Sequence, residues 1–341
     1  MSKERKQPHC IALFSGGLDS ALAVLLMLRQ NIKVTALTFL TQFGCDIGDK
    51  SSCGSNPYPA AEKFGFDVKL MHLGDKFIEI VKNPKYGHGK NMNPCTDCRI
   101  LMLSEAKELM EMINADFIIT GEVMGQRPMS QVKNKINLVA KQSELVGKLL
   151  RPLSAKLLNP TEPELNGLVN RELLEGISGR SRKRQMEMAK EFGLEDYPSP
   201  ASGCLLTDEP YSNKLRDLFA HTEHTTSDDL SLLKIGRHFR LDSNTKIIVG
   251  RNEQENESII HIKKAQYPTL EVLEHGSPVT ILIGDATEEN ILKAAQITAR
   301  YSSVKNLPNV KVSLLNSDNE TAKKSFDVSP ASDKLINEIR I

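Results

Sequence analysis

The feature that most limits the possible folds of this chain is an apolar run that ends in a glycine turn and leads into a helical pattern. Residues 9–14 form the apolar run, Ser-Gly-Gly-Leu-Asp-Ser occupies positions 15–20, and residues 20–29 carry the helical pattern. Similar β-rich runs alternate with helical segments through the first half, which is typical of a parallel sheet covered by helices. Three further strands are predicted, at residues 33–40, 67–73 and 117–120.

The glycine turn has the composition of a phosphate-binding loop. Gly16 and Gly17 lack β-carbons, so backbone amides there can come close to phosphate oxygens. The following helix presents unpaired N–H groups and the positive end of its dipole to an anion. Ser15 and Ser20 add hydroxyl donors, and Asp19 is suited to holding Mg²⁺ or to capping the helix. The alternative is an ordinary tight turn between a strand and a helix.

A Cys-x-x-Cys pair is the second feature that indicates chemistry. Cys95 and Cys98 lie at the start of a helix whose apolar pattern covers residues 99–113, and a helix start stabilises the thiolate that binds metal or attacks sulfur. Cys204 lies far along the chain, in a segment with prolines at 198 and 200 that cannot be regular structure.

The cysteines alone leave several interpretations open. The Cys-x-x-Cys pair could have no special role, or it could belong to a zinc site completed by Cys45, Cys53 or a histidine. Three cysteines could also hold an iron–sulfur cluster with one open iron. Cys45 and Cys53 themselves suggest at most a weak second metal site. Cys10 and His72 lie in apolar runs and are predicted to be core residues, whereas His88 is a candidate near the cysteines.

The length of 341 residues predicts two or three domains. We expect a nucleotide-binding domain over residues 1–205, of which 151–205 is a helical extension that carries the Cys204 loop. Helices are predicted near 165–174 and 181–192. A linker over 206–232 would then lead to a small α/β domain over 233–341.

Charge and hydropathy exclude several classes of protein. With 44 Lys and Arg against 43 Asp and Glu, a globally basic nucleic-acid binder is excluded, although a local basic groove is not. The longest apolar run, residues 21–28, is far shorter than a membrane span, and the polar start lacks a signal-peptide core. We therefore expect a cytoplasmic protein that does not enter a membrane.

The glycine turn resembles the PP-loop of the ATP pyrophosphatase superfamily, whose fold is the adenine nucleotide alpha hydrolase-like parallel sheet. The segments Asn-Pro-Cys-Thr-Asp-Cys-Arg at 93–99 and Ser-Pro-Ala-Ser-Gly-Cys-Leu-Leu at 199–206 are similar to those of the MnmA/ThiI-like tRNA thiouridylases. The resemblance covers about residues 8–220. It implies ATP and Mg²⁺ as cofactors, with Cys98, Cys204 and Asp19 as catalytic residues.

The same resemblance indicates what Cys95 adds. Family members without a cluster have an aspartate at this position, so the third cysteine resembles the branch of tRNA thiolases that depends on a [4Fe-4S] cluster, here held by Cys95, Cys98 and Cys204. The residues implied in ATP binding are Ser15, Gly16, Gly17, Asp19, Ser20, Gly121 and Glu122.

RNA contacts are expected at basic residues in both parts of the chain. The C-terminal segment, with Gly-Arg-Asn at 250–252, resembles the small NFACT-type RNA-binding domain, and an appendage that only stabilises or dimerises the protein is the alternative. A basic face there would use Arg237, Arg240, Lys246, Arg251, Lys263 and Lys264. The predicted RNA-binding residues are Arg127, Arg180, Arg182, Lys183, Arg184 and Arg251.

The function that these resemblances imply is ATP-dependent sulfurtransfer to a tRNA uridine, giving 2- or 4-thiouridine. The partners would be tRNA and a sulfur donor, either sulfide or a desulfurase or carrier protein, and a homodimer is one possible assembly. If no cluster forms, Cys98 and Cys204 would act through persulfide and disulfide chemistry. The alternatives are an ATP pyrophosphatase that amidates or ligates a small metabolite, with a structural zinc, and a non-catalytic nucleotide-sensing RNA-binding protein.

Overall fold

The structure is a computed structural model that describes residues 7–43, 56–127, 130–195, 197, 204–315 and 322–341. The chain divides into two compact units, Met1–Thr207 and Asp208–Ile341. Cys45 and Cys53, and with them the predicted second metal site, lie outside the described residues, as do the prolines that precede Cys204.

The first unit contains a five-stranded parallel sheet with the strand order β3-β2-β1-β4-β5. The strands are β1 (His9–Leu13), β2 (Lys33–Leu40), β3 (Asp67–His72), β4 (Phe117–Thr120) and β5 (Leu149–Leu150). The helices are α1 (Leu18–Leu28), α2 (Tyr58–Phe64), α3 (Gly74–Lys82), α4 (Cys95–Met112), α5 (Lys133–Gln142), α6 (Glu162–Leu165) and α7 (Lys183–Glu191).

The central strand β1 pairs with β2 on one side and with β4 on the other. The strand order therefore reverses at β1. The largest core of this unit packs the apolar side of α1 onto the sheet, with Leu22, Leu26 and Phe117 fully buried. Ligands of open parallel sheets bind outside the carboxyl ends of the strands at such a reversal. The α/β fold with a parallel sheet is therefore confirmed, and its topology places the glycine turn at the edge where a ligand is expected.

Of two predicted helices, one is confirmed and one is wrong. The helix with the apolar pattern at 99–113 begins at Cys95, so both cysteines of the Cys-x-x-Cys pair lie in its first turn, as expected. The helix predicted near 165–174 is wrong: α6 ends at Leu165, and only a 3₁₀ turn follows at Arg171–Leu173. The physical reason is Gly167, whose φ of 71° lies in the left-handed region and stops the helix.

The second unit is built on a six-stranded antiparallel sheet with the order β11-β10-β8-β9-β7-β6. Its strands are β6 (Arg237–Arg240), β7 (Lys246–Val249), β8 (Thr269–Glu271), β9 (Thr280–Ile283), β10 (Val310–Leu315) and β11 (Ala322–Val328). Its helices are α8 (Glu209–His221), α9 (Ser227–Leu233), α10 (Glu253–Ile262), α11 (Glu288–Arg300) and α12 (Asp333–Ile339).

The segment predicted as a linker, residues 206–232, contains α8 and most of α9 and belongs largely to the second unit. Leu215 and Leu230 are fully buried there, and Asp217 on α8 accepts two hydrogen bonds from the Arg240 guanidinium on β6, at 2.9 and 2.6 Å. Amphipathic helices that bury leucines do not behave as a linker, and the boundary falls at Thr207–Asp208 instead. Among the described residues, no helix combines the length and the apolar character needed to cross a membrane.

Candidate nucleotide and thiol site

The glycine turn leaves the start of α1 open towards the sheet edge. Gly16 has a φ of 72°, which favours glycine, and Gly17 occupies the N-cap position of α1. No side chain of the described residues caps this helix start, and Ser20 Oγ instead donates to the Gly17 carbonyl at 2.8 Å. The first N–H groups of α1 therefore remain available to an anion, as expected for a phosphate loop.

Gly121 closes one side of this loop. A β-carbon on Gly121 would lie 2.5 Å from the Ser20 backbone nitrogen and 2.6 Å from the Asp19 carbonyl carbon. The residue after β4 thus contacts the first turn of α1 with its backbone, and no larger residue fits there without moving one of the two. The structure brings Gly121 to the loop, where its role is close packing.

Asp19 is held by a residue that the sequence analysis did not select. Gln126 Nε2 donates to Asp19 Oδ2 at 2.6 Å, and Gln185 Nε2 on α7 donates to Gln126 Oε1 at 3.0 Å. The other carboxylate oxygen, Asp19 Oδ1, is buried and has no hydrogen-bond partner among the described residues. A buried carboxylate oxygen without a donor fits Mg²⁺, which takes oxygen ligands and is commonly shared between one carboxylate and substrate phosphates.

Glu122 lies between two arginines that pair with its carboxylate, and its predicted contact with a nucleotide remains a prediction. It forms ion pairs with Arg99 on α4 and with Arg151, whose Nε lies 2.8 Å from Glu122 Oε2. The side chains of Glu122 and Arg151 are each only 5% exposed. Burial, together with the nearby Arg127 and Arg151, lowers the pKa of Arg99 to about 10, and burial lowers the pKa of Arg151 to about 10. Both remain cationic at neutral pH, and the ion pairs join the end of β4 to the first turn of α4.

Asp97 attaches the first turn of α4 to the loop that precedes this helix. The buried Asp97 carboxylate accepts hydrogen bonds from the backbone N–H groups of Lys85 and Tyr86, at 3.0 and 3.1 Å. Asp97 therefore holds the preceding loop against α4. Cys95 Sγ donates to Asn93 Oδ1 at 3.0 Å within the same loop.

The turn that carries Cys204 is attached to this loop by two hydrogen bonds. Asn91 Nδ2 donates to the Thr207 carbonyl at 2.8 Å, and the Met92 N–H donates to the Leu206 carbonyl at 3.0 Å. The Thr207 hydroxyl and N–H both donate to the Cys204 carbonyl, at 2.6 and 2.8 Å, which closes the turn. The segment with Cys204 thus lies beside the segment that leads to Cys95, although more than a hundred residues separate them in the sequence.

The segments that carry the three cysteines are neighbours, but the three side chains are not grouped as metal ligands. Cys95, Cys98 and Cys204 are all outside disulfides. In the part of the chain that the structure describes, which includes all three, no three His, Cys, Asp or Glu side chains are grouped so that they could hold a metal ion. The three-cysteine cluster therefore remains a prediction, and we assign no reaction step to it.

The basic run before α7 lies alongside the loop that holds Asp19. Ser178 forms a parallel bridge with Met124, and the Gly179 N–H donates to the Met124 carbonyl at 2.8 Å. Arg184 pairs with Glu175 and Glu191, each at 2.7 Å, so its charge is already neutralised. No ion pair is observed for the three remaining cations of the run within the described residues: Arg180, Arg182 and Lys183. Arg127 is exposed and directly follows Gln126 in the sequence.

Most cations of the basic face predicted for the second unit are paired, buried or stacked within that unit. Arg251 pairs with Glu255 at 2.5 Å, Arg240 with Asp217 at 2.6 Å, and Lys264 with Asp229 at 3.7 Å. Lys246 is buried, and burial lowers its pKa to about 8. The Arg237 guanidinium stacks on the Tyr301 ring, with 4.5 Å between the guanidinium carbon and the ring centroid. Most of these cations stabilise the second unit itself.

Three smaller expectations have mixed outcomes. Cys10 is fully buried in β1, as predicted, and burial raises the pKa of its thiol far above the ordinary value. His72 is exposed rather than in the core, because β3 is an edge strand, and its Nδ1 accepts the Gly74 N–H at 3.0 Å. The ring of His88, which was a candidate for the site, is within 2.8 Å of the Val81 carbonyl.

The first unit thus combines a parallel sheet with a glycine turn after its first strand, and the residue that follows β4 packs on that turn. Residues 6–156 match the sequence profile of the family described as thiamine biosynthesis protein (ThiI). Residues 236–340 match the profile described as NFACT protein RNA binding domain. The chain is thus similar to the ThiI family over residues 6–156 and to the NFACT RNA-binding domain over residues 236–340.

Individual relatives agree with these matches. A probable tRNA sulfurtransferase of Lysinibacillus sphaericus is 26% identical over 64% of this chain and 46% of its own length. A tRNA-specific 2-thiouridylase MnmA of Syntrophotalea carbinolica is 28% identical over 35% of each chain, and a probable tRNA sulfurtransferase of Methanosarcina acetivorans is 30% identical over 35% of this chain and 29% of its own. The chain spans less than half of the length of each of these relatives.

Among solved structures, a 4-thiouridine synthetase in complex with RNA and ATP is 17% identical and covers 55% of this chain and 52% of its own, with a TM-score of 0.34. This overlap is too loose to support an inference about the present chain.

The sequence analysis missed four residues that build the site: Arg99, Gln126, Arg151 and Gln185. Arg99 and Gln126 stand next to segments that were selected, whereas Arg151 and Gln185 carry no local motif. Proximity to a motif could have indicated the first two. The other two follow only from the packing of distant segments.

Proposed function

We propose that this chain is an ATP-dependent tRNA-uridine sulfurtransferase of the cytoplasm, which makes 2- or 4-thiouridine. The observation that carries the proposal is one continuous set of contacts in the first unit. Gly121 packs on the phosphate loop at Asp19 and Ser20, and its neighbour Glu122 pairs with Arg99 on α4. Arg99 directly follows the Cys95–Cys98 pair, which forms the first turn of that helix. A nucleotide bound at the loop and the thiols of this pair would thereby lie at one edge of the sheet.

The first chemical step activates the base. A uridine carbonyl oxygen attacks the α-phosphorus of ATP, the bond to the β-phosphate breaks, and pyrophosphate leaves while the oxygen joins AMP. The open N–H groups at the start of α1 would stabilise the phosphate charge that develops, and Asp19 Oδ1 would hold Mg²⁺, which neutralises charge on the leaving pyrophosphate. Adenylation thus converts the uridine oxygen, a poor leaving group, into part of AMP, which is a good one.

The second step replaces oxygen by sulfur. Sulfide adds to the activated ring carbon, AMP departs with the original oxygen, and the product is thiouridine without any net oxidation or reduction. With a persulfide on Cys98 as the donor, the terminal sulfur would attack the ring carbon and displace AMP. The Cys204 thiolate would then attack the Cys98 sulfur to release thiouridine, and the resulting disulfide would need a thiol reductant.

The attachment of the Cys204 turn to the loop before Cys95 supports pairing of these thiols. The assignment of a [4Fe-4S] cluster to Cys95, Cys98 and Cys204 remains a prediction from the sequence. The NFACT-type domain and the cations that precede α7 support tRNA as the partner.

The experiment is an anaerobic reaction of the purified chain with unmodified tRNA, Mg²⁺, ATP and sulfide, followed by mass spectrometry of the nucleosides and quantification of AMP. We expect AMP formation that requires tRNA, with one thiolated uridine per modified site. AMP release without RNA would instead support ligation of a small metabolite, and ATP binding without AMP release would support a sensor. Iron and sulfide analysis of the same preparation tests the cluster, with Cys204→Ser as the variant that should lose it.

A further inference from the structure

Three polar side chains from three separate elements form a hydrogen-bond chain that ends at the phosphate loop. Asp19 lies in the first turn of α1, Gln126 in the loop after β4, and Gln185 on α7. The distances are 2.6 Å from Gln126 Nε2 to Asp19 Oδ2 and 3.0 Å from Gln185 Nε2 to Gln126 Oε1. No motif in the sequence connects these positions.

The chemistry of the carboxylate fixes the polarity of the chain. An ionised carboxylate can only accept hydrogen bonds, so Gln126 must direct its amide nitrogen to Asp19 and its oxygen away from it. That oxygen in turn requires a donor, which Gln185 supplies. Gln185 therefore stabilises the orientation in which the Gln126 amide nitrogen faces Asp19.

The burial of Gln185 indicates that this donor is needed. The residue is 0% exposed, and its own oxygen has no partner among the described residues. A buried amide that leaves one polar atom unpaired costs stability, and an apolar residue would avoid that cost at this position. The side chain is thus better explained by what its N–H group does than by packing.

We propose that Gln126 and Gln185 are positioning residues that hold the Asp19 carboxylate so that Oδ1 faces the Mg²⁺ that accompanies ATP. Gln185 fixes the orientation of Gln126, and Gln126 fixes Asp19. These two hydrogen bonds also connect α7 to the phosphate loop. The inference uses the proposed function only in taking Mg²⁺ and ATP as ligands, and sulfur transfer plays no part in it.

The test compares two substitutions of Gln185 by isothermal titration of the full chain with ATP, once with Mg²⁺ and once with EDTA. Gln185→Met removes the donor but leaves Gln126 able to donate to Asp19. Gln185→Glu places an acceptor there, so Gln126 turns its nitrogen to Glu and presents its oxygen to Asp19. We expect Gln185→Glu to weaken ATP binding about tenfold or more in Mg²⁺, through loss of a charge-assisted hydrogen bond, and Gln185→Met to weaken it only about twofold to threefold.

In EDTA both variants should bind ATP like the unaltered chain, because the α1 amides still meet the phosphates. Gln142→Glu, an exposed position at the end of α5, is the charge-matched control and should behave like the unaltered chain in both titrations. If Gln185→Glu does not fold, as judged by circular dichroism, Gln126→Met removes the donor to Asp19 directly and should lose the Mg²⁺-dependent part of ATP binding.

A Gln185→Met variant as weak as Gln185→Glu, or an equal loss in EDTA, would show that Gln185 only supports packing and would overturn the inference. An unchanged Mg²⁺ response in Gln126→Met would do the same. The tRNA assay tests the proposed sulfurtransferase function separately. That assay can fail while Mg²⁺-dependent ATP binding by the unaltered chain persists.

Discussion

Gly121 packs so closely against Ser20 that a β-carbon at position 121 would lie 2.5 Å from the Ser20 backbone nitrogen. Both neighbours are backbone, so the first turn of α1 would have to move. We expect Gly121→Ala to weaken ATP binding about tenfold or more, because displaced amides no longer meet the phosphates. Titration calorimetry with ATP measures the effect.

Gly176→Ala is the matched control for this prediction. Its β-carbon would meet Lys156 Cβ at 3.4 Å, an ordinary contact, and position 176 is exposed. ATP affinity should be unchanged there. If Gly121→Ala bound ATP as well as this control, the close approach of β4 to α1 would have no bearing on the loop.

The buried ion pairs of Glu122 give a prediction about stability. Glu122→Gln keeps the shape of the side chain but leaves Arg99 and Arg151 without their counter-charge, which is costly for buried groups. We expect the free energy of unfolding to fall by about 3 kcal/mol or more. Urea unfolding followed by circular dichroism measures this.

A surface pair provides the comparison. Asp67 pairs with Lys33 at 3.2 Å, and both side chains are more than half exposed. Asp67→Asn should cost less than about 1 kcal/mol, since water screens this pair. Equal losses for the two variants would mean that the Glu122 network adds nothing beyond a surface ion pair.

The attachment of the Cys204 turn predicts a cross-link between distant cysteines. In a background with Cys45 and Cys53 replaced by serine, a short bifunctional maleimide should join Cys204 to Cys95 or Cys98. Asn91→Ala removes the 2.8 Å hydrogen bond to the Thr207 carbonyl and should lower the yield several-fold. Peptide mass spectrometry identifies the linked residues.

Asn83→Ala serves as the control, because the Asn83 side chain donates to Glu79, within one helical turn, and among the described residues it has no hydrogen bond to the Cys204 turn. Its cross-linking yield should match that of the background protein. A yield that Asn91→Ala leaves unchanged would show that the Asn91–Thr207 hydrogen bond does not hold the Cys204 turn in place.

The cations at the start of α7 predict the salt dependence of tRNA binding. Lys183 is exposed, whereas the neighbouring Arg184 is already paired with Glu175 and Glu191. Lys183→Ala should reduce the slope of log affinity against log salt concentration by about 1, the value for one lost phosphate contact. Arg184→Ala should leave that slope unchanged. Filter binding over a series of salt concentrations distinguishes the two, and identical slopes for all three proteins would remove this segment from the RNA interface.

His238 predicts how the second unit responds to pH. Burial and the nearby Lys214 and Lys246 lower the pKa of this histidine well below 6.5, and its Nε2–H donates to the Ile235 carbonyl at 2.9 Å. The unfolded chain binds a proton as the pH falls through about 6.5, while the folded chain does not, so stability is present above this pH and is lost below it. The slope should approach about 1.4 kcal/mol per pH unit.

Hydrogen exchange of the β6 and β7 amides between pH 5 and 7.5, corrected for intrinsic rates, measures this loss. His238→Gln keeps a donor for Ile235 but cannot titrate, so its stability should change less over this range. His261→Gln, at an exposed position on α10, should leave the slope as it is. A slope that survives in His238→Gln would assign the effect to another group.

Much of the first unit could be predicted because its signals are local. The alternation of β-rich runs and helices gave β2 and β4 at their observed bounds, and the glycines at 16 and 17 marked the phosphate loop. Helix ends were harder to predict, because caps depend on single residues such as Gly167. The cysteine pair was expected at the start of a helix and lies in its first turn, as predicted.

The sequence by itself determined the strand, the glycine turn and the helix that follows, since backbone freedom and apolar periodicity act over a few residues. Only the tertiary structure decided which charged side chains form ion pairs with one another. Glu122 was expected at a nucleotide and is held by Arg99 and Arg151, and Arg184 is paired whereas Lys183 is not. Ion pairs and buried hydrogen bonds form between segments that the fold brings together, because their energy depends on distance and desolvation rather than on neighbours in the chain.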